Sequence, residues 1–141
     1  MTISKPILLK NTFKKSERLT SKSIMESVFA QGTTLKKFPL IAKYKQVEFE
    51  DQVPIKVVVS IPKRLVKKAV DRNRVRRQIK EAYRLDRTNL KNNLANNKIS
   101  LALFLIYTGK ENPLYSEIEE KIHLLLNEIN KTIVEANQQA E

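Results

Sequence analysis

The 141-residue sequence predicts an α+β fold, a two-layer sandwich with elements in the order α-β-β-α-β-α and a small mixed sheet covered by helices on one side. Three observations lead there. Apolar residues alternate through residues 38–47 and again through 55–61, the period of a half-buried strand. Residues 99–107, ISLALFLIY, are apolar on both faces, as a central strand is. Segments near 21–31, 69–84 and 116–133 place apolar residues at helical spacing. We read one domain over 1–141, with a basic arm at 1–19 and a core at 20–136.

Each element has its own local reason. The first helix is capped by Thr20 or Ser21, turns Ile24, Met25, Val28 and Phe29 to one side, and closes at Gly32. In FPLIAKYKQV, Phe38, Leu40, Ala42 and Tyr44 share a face opposite Lys43 and Lys45, while Pro39 pushes the strand toward a sheet edge. In IKVVVSI, Ile55, Val57, Val59 and Ile61 oppose Lys56, Val58 and Ser60, and this strand is expected to pair antiparallel with the preceding one. With helices on one side only, Lys43, Lys45 and Lys56 would line an open sheet face. The next helix starts near residue 69 and runs past Arg84. The five asparagines of TNLKNNLANNK favour a fraying helix end or a loop, because asparagine competes for backbone hydrogen bonds. After GKENP, Ser116 and Glu119 have capping-box spacing, and Ile118, Ile122, Leu125, Leu126, Ile129 and Ile133 form the stripe of a final helix. The single histidine, His123, lies beside that stripe and reads as a packing or surface residue.

Composition narrows function. With no cysteine and one histidine, disulfide frameworks, cysteine nucleophiles and Cys/His zinc sites are excluded. The N-terminus lacks a signal-peptide pattern, and the longest wholly apolar run, residues 101–107, is too short to span a bilayer, so a soluble cytoplasmic protein without a membrane partner is expected. The formal charge is +12. Residues 63–87 hold eleven basic and three acidic side chains, a net +8, so the excess is local, as a polyanion-binding surface requires.

Helical geometry sorts that excess. Val75, Ile79, Ala82 and Tyr83 cover one arc of the basic helix; Arg76, Lys80, Arg87, Asn73, Arg84 and Arg77 fill the adjoining one, with Arg72 at the boundary. The pairs Arg72/Arg76, Arg76/Lys80 and Lys80/Arg84 are like-charged at i,i+4, a repulsion that a phosphate backbone relieves. Guanidinium forks suit phosphate oxygens, and Asn73 offers both a donor and an acceptor. No helix-turn-helix is legible, whereas an open sheet face with lysines and aromatics suits RNA.

The residues Ala69-Val70-Asp71-Arg72-Asn73-Arg74-Val75-Arg76-Arg77, followed by Ile79-Lys80-Glu81-Ala82-Tyr83-Arg84, resemble the signature of the bacterial ribonuclease P protein component. Phe13, Lys15, Arg18 and Leu19 are similar to that family's opening pattern, and Val28, Phe29 and Gly32 to its first helix, so the resemblance runs over residues 13–107. Lys67 stands where relatives often have glycine, and Met25 where they are often aromatic.

The resemblance implies a protein subunit that joins a catalytic RNA, one to one, to cut the 5′ leader from precursor tRNA. It implies no catalytic or metal-binding residue in the protein, the RNA subunit as the essential cofactor and Mg2+ held mainly by RNA. It assigns Arg72, Asn73, Arg74, Arg76, Arg77, Lys80, Arg84, Lys67 and Lys68 to the RNA subunit. Phe13, Lys15, Arg18, Met25, Phe29, Phe38, Lys43, Lys56 and Ser60 fall to the leader. It also implies a left-handed crossover around the basic helix, against the common hand. The competing readings are a non-catalytic RNA-binding module, such as a ribosomal protein or RNA chaperone, and a stand-alone nuclease. Against the latter, the acids are mostly isolated, and Glu48, Glu50 and Asp51 read as a solvated turn.

Overall fold

A computed structural model describes residues 14–139. A 3-10 turn at Lys15–Glu17 leads into helix α1 (Lys22–Gln31), strands β1 (Thr33–Lys37), β2 (Leu40–Gln46) and β3 (Ile55–Ser60), helices α2 (Ala69–Asp86) and α3 (Thr88–Asn96), strand β4 (Leu101–Tyr107) and helix α4 (Tyr115–Gln139). The predicted α+β class stands. The sheet order is β1-β2-β4-β3, with β2 antiparallel and β3 parallel to β4. The two strands expected to pair with each other, β2 and β3, are therefore both bonded to β4, which lies between them. Residues 101–107 do form the central strand, buried from Leu101 to Leu105.

Side-chain alternation makes two cores. Leu40, Ala42, Tyr44, Ile55, Val57, Val59, Leu103, Leu105 and Tyr107 face α2, α3 and α4, meeting Val75, Ile79, Ala82, Tyr83, Leu90, Leu94 and the buried stripe of α4. On the opposite face Ala102 and Phe104 pack with Leu19, Val28 and Phe49. Helix α1 thus covers part of the face expected to be open, and the helices are not all on one side. Ser21 caps α1 by accepting a hydrogen bond from the Ile24 amide. At the far end, the Gly32 amide bonds the Val28 carbonyl. A Cβ at Gly32 would stand 2.3 Å from that carbonyl oxygen and 3.0 Å from that of Tyr44, so only glycine lets α1 turn so tightly onto the sheet.

Three further expectations need correction. Pro39 does not mark β2 as an edge: it precedes the strand, and its carbonyl accepts from Thr108. The edges are instead β1 and β3, and the β1 sequence TTLKK is nearly all polar, as a solvated edge strand tolerates. The asparagine-rich segment is the helix α3, because Leu90 and Leu94, four residues apart, are both buried against the core. Burying two leucines contributes about 3–6 kcal/mol, enough to outweigh the poor helix propensity of asparagine. Finally, α4 begins at Tyr115, and the Leu114 carbonyl takes the Glu117 and Ile118 amides, which puts Ser116 inside the first turn rather than at the cap.

Candidate nucleic-acid interface

Helix α2 presents the face its sequence dictates. Val75, Ile79, Ala82 and Tyr83 are buried, while Asn73 and Arg77 are exposed and Arg76 and Lys80 are half-buried beside them. Arg76 Nη1 donates to Asn73 Oδ1 at 3.2 Å, so the asparagine orients the neighbouring guanidinium. Partial burial, and then the positive charges of Arg18 and Arg76, pull the Lys80 ammonium below its usual lysine value. A phosphate placed there would reverse that shift. Lys67 and Lys68 are exposed in the loop leading into α2, and they extend the positive field past its first turn.

Not every predicted cation shares this freedom. Arg72 Nη1 donates to the carbonyls of Val66 and Lys67, at 3.0 and 2.8 Å. Arg74 turns toward the segment before α4, where its Nη2 donates to Asp71 Oδ1 and the Glu111 carbonyl, each at 2.9 Å, and to the Asn112 side chain. Arg84 is paired with Glu81 one turn back, at 2.8 and 3.0 Å. Arg87, expected on the cationic face, is fully buried, with bonds of 2.7 and 3.1 Å to the equally buried Glu17. The helix ends at Asp86, and Arg87 joins it to α3, so its side chain is aimed inward against the arm.

The second candidate surface lies on the other sheet face. Register aligns Lys43, Phe104 and Val58 in one row across β2, β4 and β3, Ile41, Ile106 and Ser60 in the next, and Lys45, Ala102 and Lys56 on the other side. Helix α1 lies over β2 and β4, so Val58, Ser60 and Ile106 remain half-exposed beside it. Phe29, 48% exposed, meets Phe104 at a centroid distance of 4.4 Å, and Lys43 Nζ stands 4.9 Å above the Phe29 ring. Met25 lines the same apolar hollow. Lys56 lies toward the other end, 2.9 Å from Asp51 and 4.9 Å from the centre of the Phe49 ring.

The structure thus brings together Met25, Phe29 and Lys43, with Lys56 and Ser60 along β3. Lys45, expected on the open face, is instead bound to Ser27 and Gln31 of α1. Phe38, 71% exposed, sits at the β1–β2 turn beside Ser116, Glu117, Glu120 and Lys121, so it does not join the groove. Lys15 is exposed in the 3-10 turn, and Arg18 bridges to Val57 of β3. Phe13 lies outside the described residues. Sequence reading missed Phe104 and Phe49 as groove residues; the signal for Phe104 was its alternation with Leu103 and Leu105. Among the described residues no three His, Cys, Asp or Glu side chains are grouped to hold a metal ion. No described helix is long and apolar enough to cross a membrane.

The family model for ribonuclease P matches residues 13–130. The chain belongs to the ribonuclease P protein family. A ribonuclease P protein component of Chlorobaculum tepidum is 38% identical over 88 residues, which span 60% of this chain and 57% of that relative. One from Porphyromonas gingivalis is 30% identical over 105 residues, covering 74% of this chain and 77% of the relative. The ribonuclease P protein of Staphylococcus aureus superposes with a TM-score of 0.64 at 14% identity, covering 82% of this chain and 96% of that one. That of Thermotoga maritima gives 0.63 at 18% identity, covering 79% and 96%. At those identities the superpositions speak for a shared ribonuclease P protein fold, with its four-stranded sheet and flanking helices.

Proposed function

We propose that this chain is the protein subunit of ribonuclease P, binding a catalytic RNA through the basic face of α2 and the 5′ leader of precursor tRNA through the groove beside α1. The observation that carries this reading is the separation of the two surfaces. A single-signed helical face and an aromatic-lysine groove lie on opposite faces of one sheet, so two RNA segments can be held at once. The pairing promotes endonucleolytic removal of the leader and leaves the mature tRNA 5′ end. The chemistry belongs to the RNA subunit, with Mg2+ held mainly by its phosphates, in a one-to-one complex of the cytoplasm. In this role the protein neutralises phosphate repulsion and positions the substrate.

Reconstitution tests the proposal: purified protein added to the organism's ribonuclease P RNA should allow precursor tRNA cleavage at low magnesium. Copurification with ribosomal RNA and no stimulation of cleavage would favour a ribosomal protein or RNA chaperone instead. Metal-dependent cutting by RNA-free protein would point to a stand-alone nuclease. For the groove, Phe29→Ala is expected to raise KM about tenfold for precursors with long leaders and to leave leaderless substrates near wild type, since stacking one base on an aromatic ring contributes about 1–3 kcal/mol. Equal losses on both substrates would remove the leader from this groove.

A further inference from the structure

Within the run Arg72-Asn73-Arg74, the side chains do three different things. Asn73 faces outward and orients Arg76. Arg72 reaches back to two carbonyls of the loop that precedes α2, a loop closed on itself by the Leu65 and Val66 amides bonding the Pro62 carbonyl and anchored in the core by Val66. Arg74 reaches to the opposite side, where three acceptors from Asp71, Glu111 and Asn112 converge on one nitrogen. Two guanidiniums two residues apart therefore brace two segments far apart in sequence, 62–68 and 108–114, against the first turns of α2. Both segments carry exposed cations: Lys63, Arg64, Lys67 and Lys68 in the first, Lys110 in the second.

Resting on the RNA-binding reading above, we propose that Arg72 and Arg74 are positioning residues that set these two loops. The phosphate contacts at this end of the molecule then fall to Arg76, Arg77, Lys80 and the loop cations. Arg72 gives its Nη1 and Arg74 its Nη2 to protein oxygens, so those acceptors fix the direction of each guanidinium, and a phosphate would have to displace them to use the same N–H groups. Arg77, exposed on the same helix, meets no such competing acceptor among the described residues.

The test is a salt titration of binding to ribonuclease P RNA, combined with amide exchange on the RNA-free protein. Losing a phosphate contact lowers the slope of log K against log salt by about one unit. Arg77→Ala should do that. Arg74→Ala should weaken binding about tenfold with the slope unchanged, and it should release amide protection selectively in 108–114. Arg72→Ala should behave in the same way for 62–68. Asn112→Ala, which removes no positive charge, should reproduce part of the Arg74→Ala loss, and the two together should be less than additive. A flattened slope for Arg74→Ala, with Asn112→Ala at wild-type affinity, would overturn the proposal and make Arg74 a direct RNA contact. If no variant, Arg77→Ala included, alters RNA affinity, the functional reading has failed. Exchange in the two loops then still decides the bracing role, and unchanged protection would reject it.

Discussion

Arg87→Ala is expected to cost the free protein about 3–5 kcal/mol in a urea titration at pH 7. Arg87 and Glu17 are both buried, seventy positions apart, and bonded twice, and Lys91 adds a third charge 3.4 Å from the carboxylate. Removing the guanidinium leaves a carboxylate in a site that solvent does not reach. Burial alone pushes the Glu17 carboxyl up; the Arg87 hydrogen bond, the Lys14 amide and the charges of Arg87 and Lys91 more than reverse this, and hold it below its ordinary value of 4.5. A depressed folded-state value means the pair stabilises above the unfolded carboxylate range, and that this contribution is lost as pH falls through the folded value. The deficit of Arg87→Ala should therefore be largest near neutrality and shrink as the pH drops below about 4.5. A variant with wild-type stability at pH 7 would show that the pair does not hold the arm. Replacing both partners by apolar residues of similar volume should recover most of the loss.

Substituting Arg76, Arg77 and Lys80 together by alanine is expected to weaken binding to ribonuclease P RNA, the proposed partner, roughly a hundredfold at physiological salt and to lower the salt slope by about two to three units. The three lie on one face of α2, away from Val75, Ile79, Ala82 and Tyr83, so the helix should keep its packing. Relief of like-charge repulsion should leave the melting temperature of the free protein unchanged or slightly higher. An unchanged slope in filter binding between low and physiological salt would mean that RNA does not lie on this face.

The parts legible in the sequence were those whose periodicity and packing agree. Both faces of α2, the stripe of α4, the Ser21 and Gly32 ends of α1 and the buried character of β4 all follow from spacing. What escaped was set by tertiary partners. In α3, asparagine content argues for a loop, and only the burial of Leu90 and Leu94 overrules it. The polar strand β1 is read from its pairing with β2 and from no feature of its own. Helical spacing puts Arg87 among the surface cations, but its partner is Glu17, which no local pattern could nominate. Similarly, Lys45 alternates correctly with the core residues of β2, yet α1 lies over it and takes its ammonium. At the candidate site the residue types were visible, while the division of labour between Arg72, Asn73 and Arg74 depends on loops that only the folded chain brings near.

The placement of β4 between β2 and β3 bears on how the chain is made. A ribosome delivers β2 and β3 first, then the whole basic helix, and only afterwards the strand that both of the earlier ones need. Until residues 101–107 emerge, two strands carry unpaired edges and the apolar side of α2 has no finished platform beneath it. The cationic segment is thus synthesised well before the sheet on which it is mounted is complete. Its final shape waits on nonlocal closure, a slow step for a nascent polypeptide.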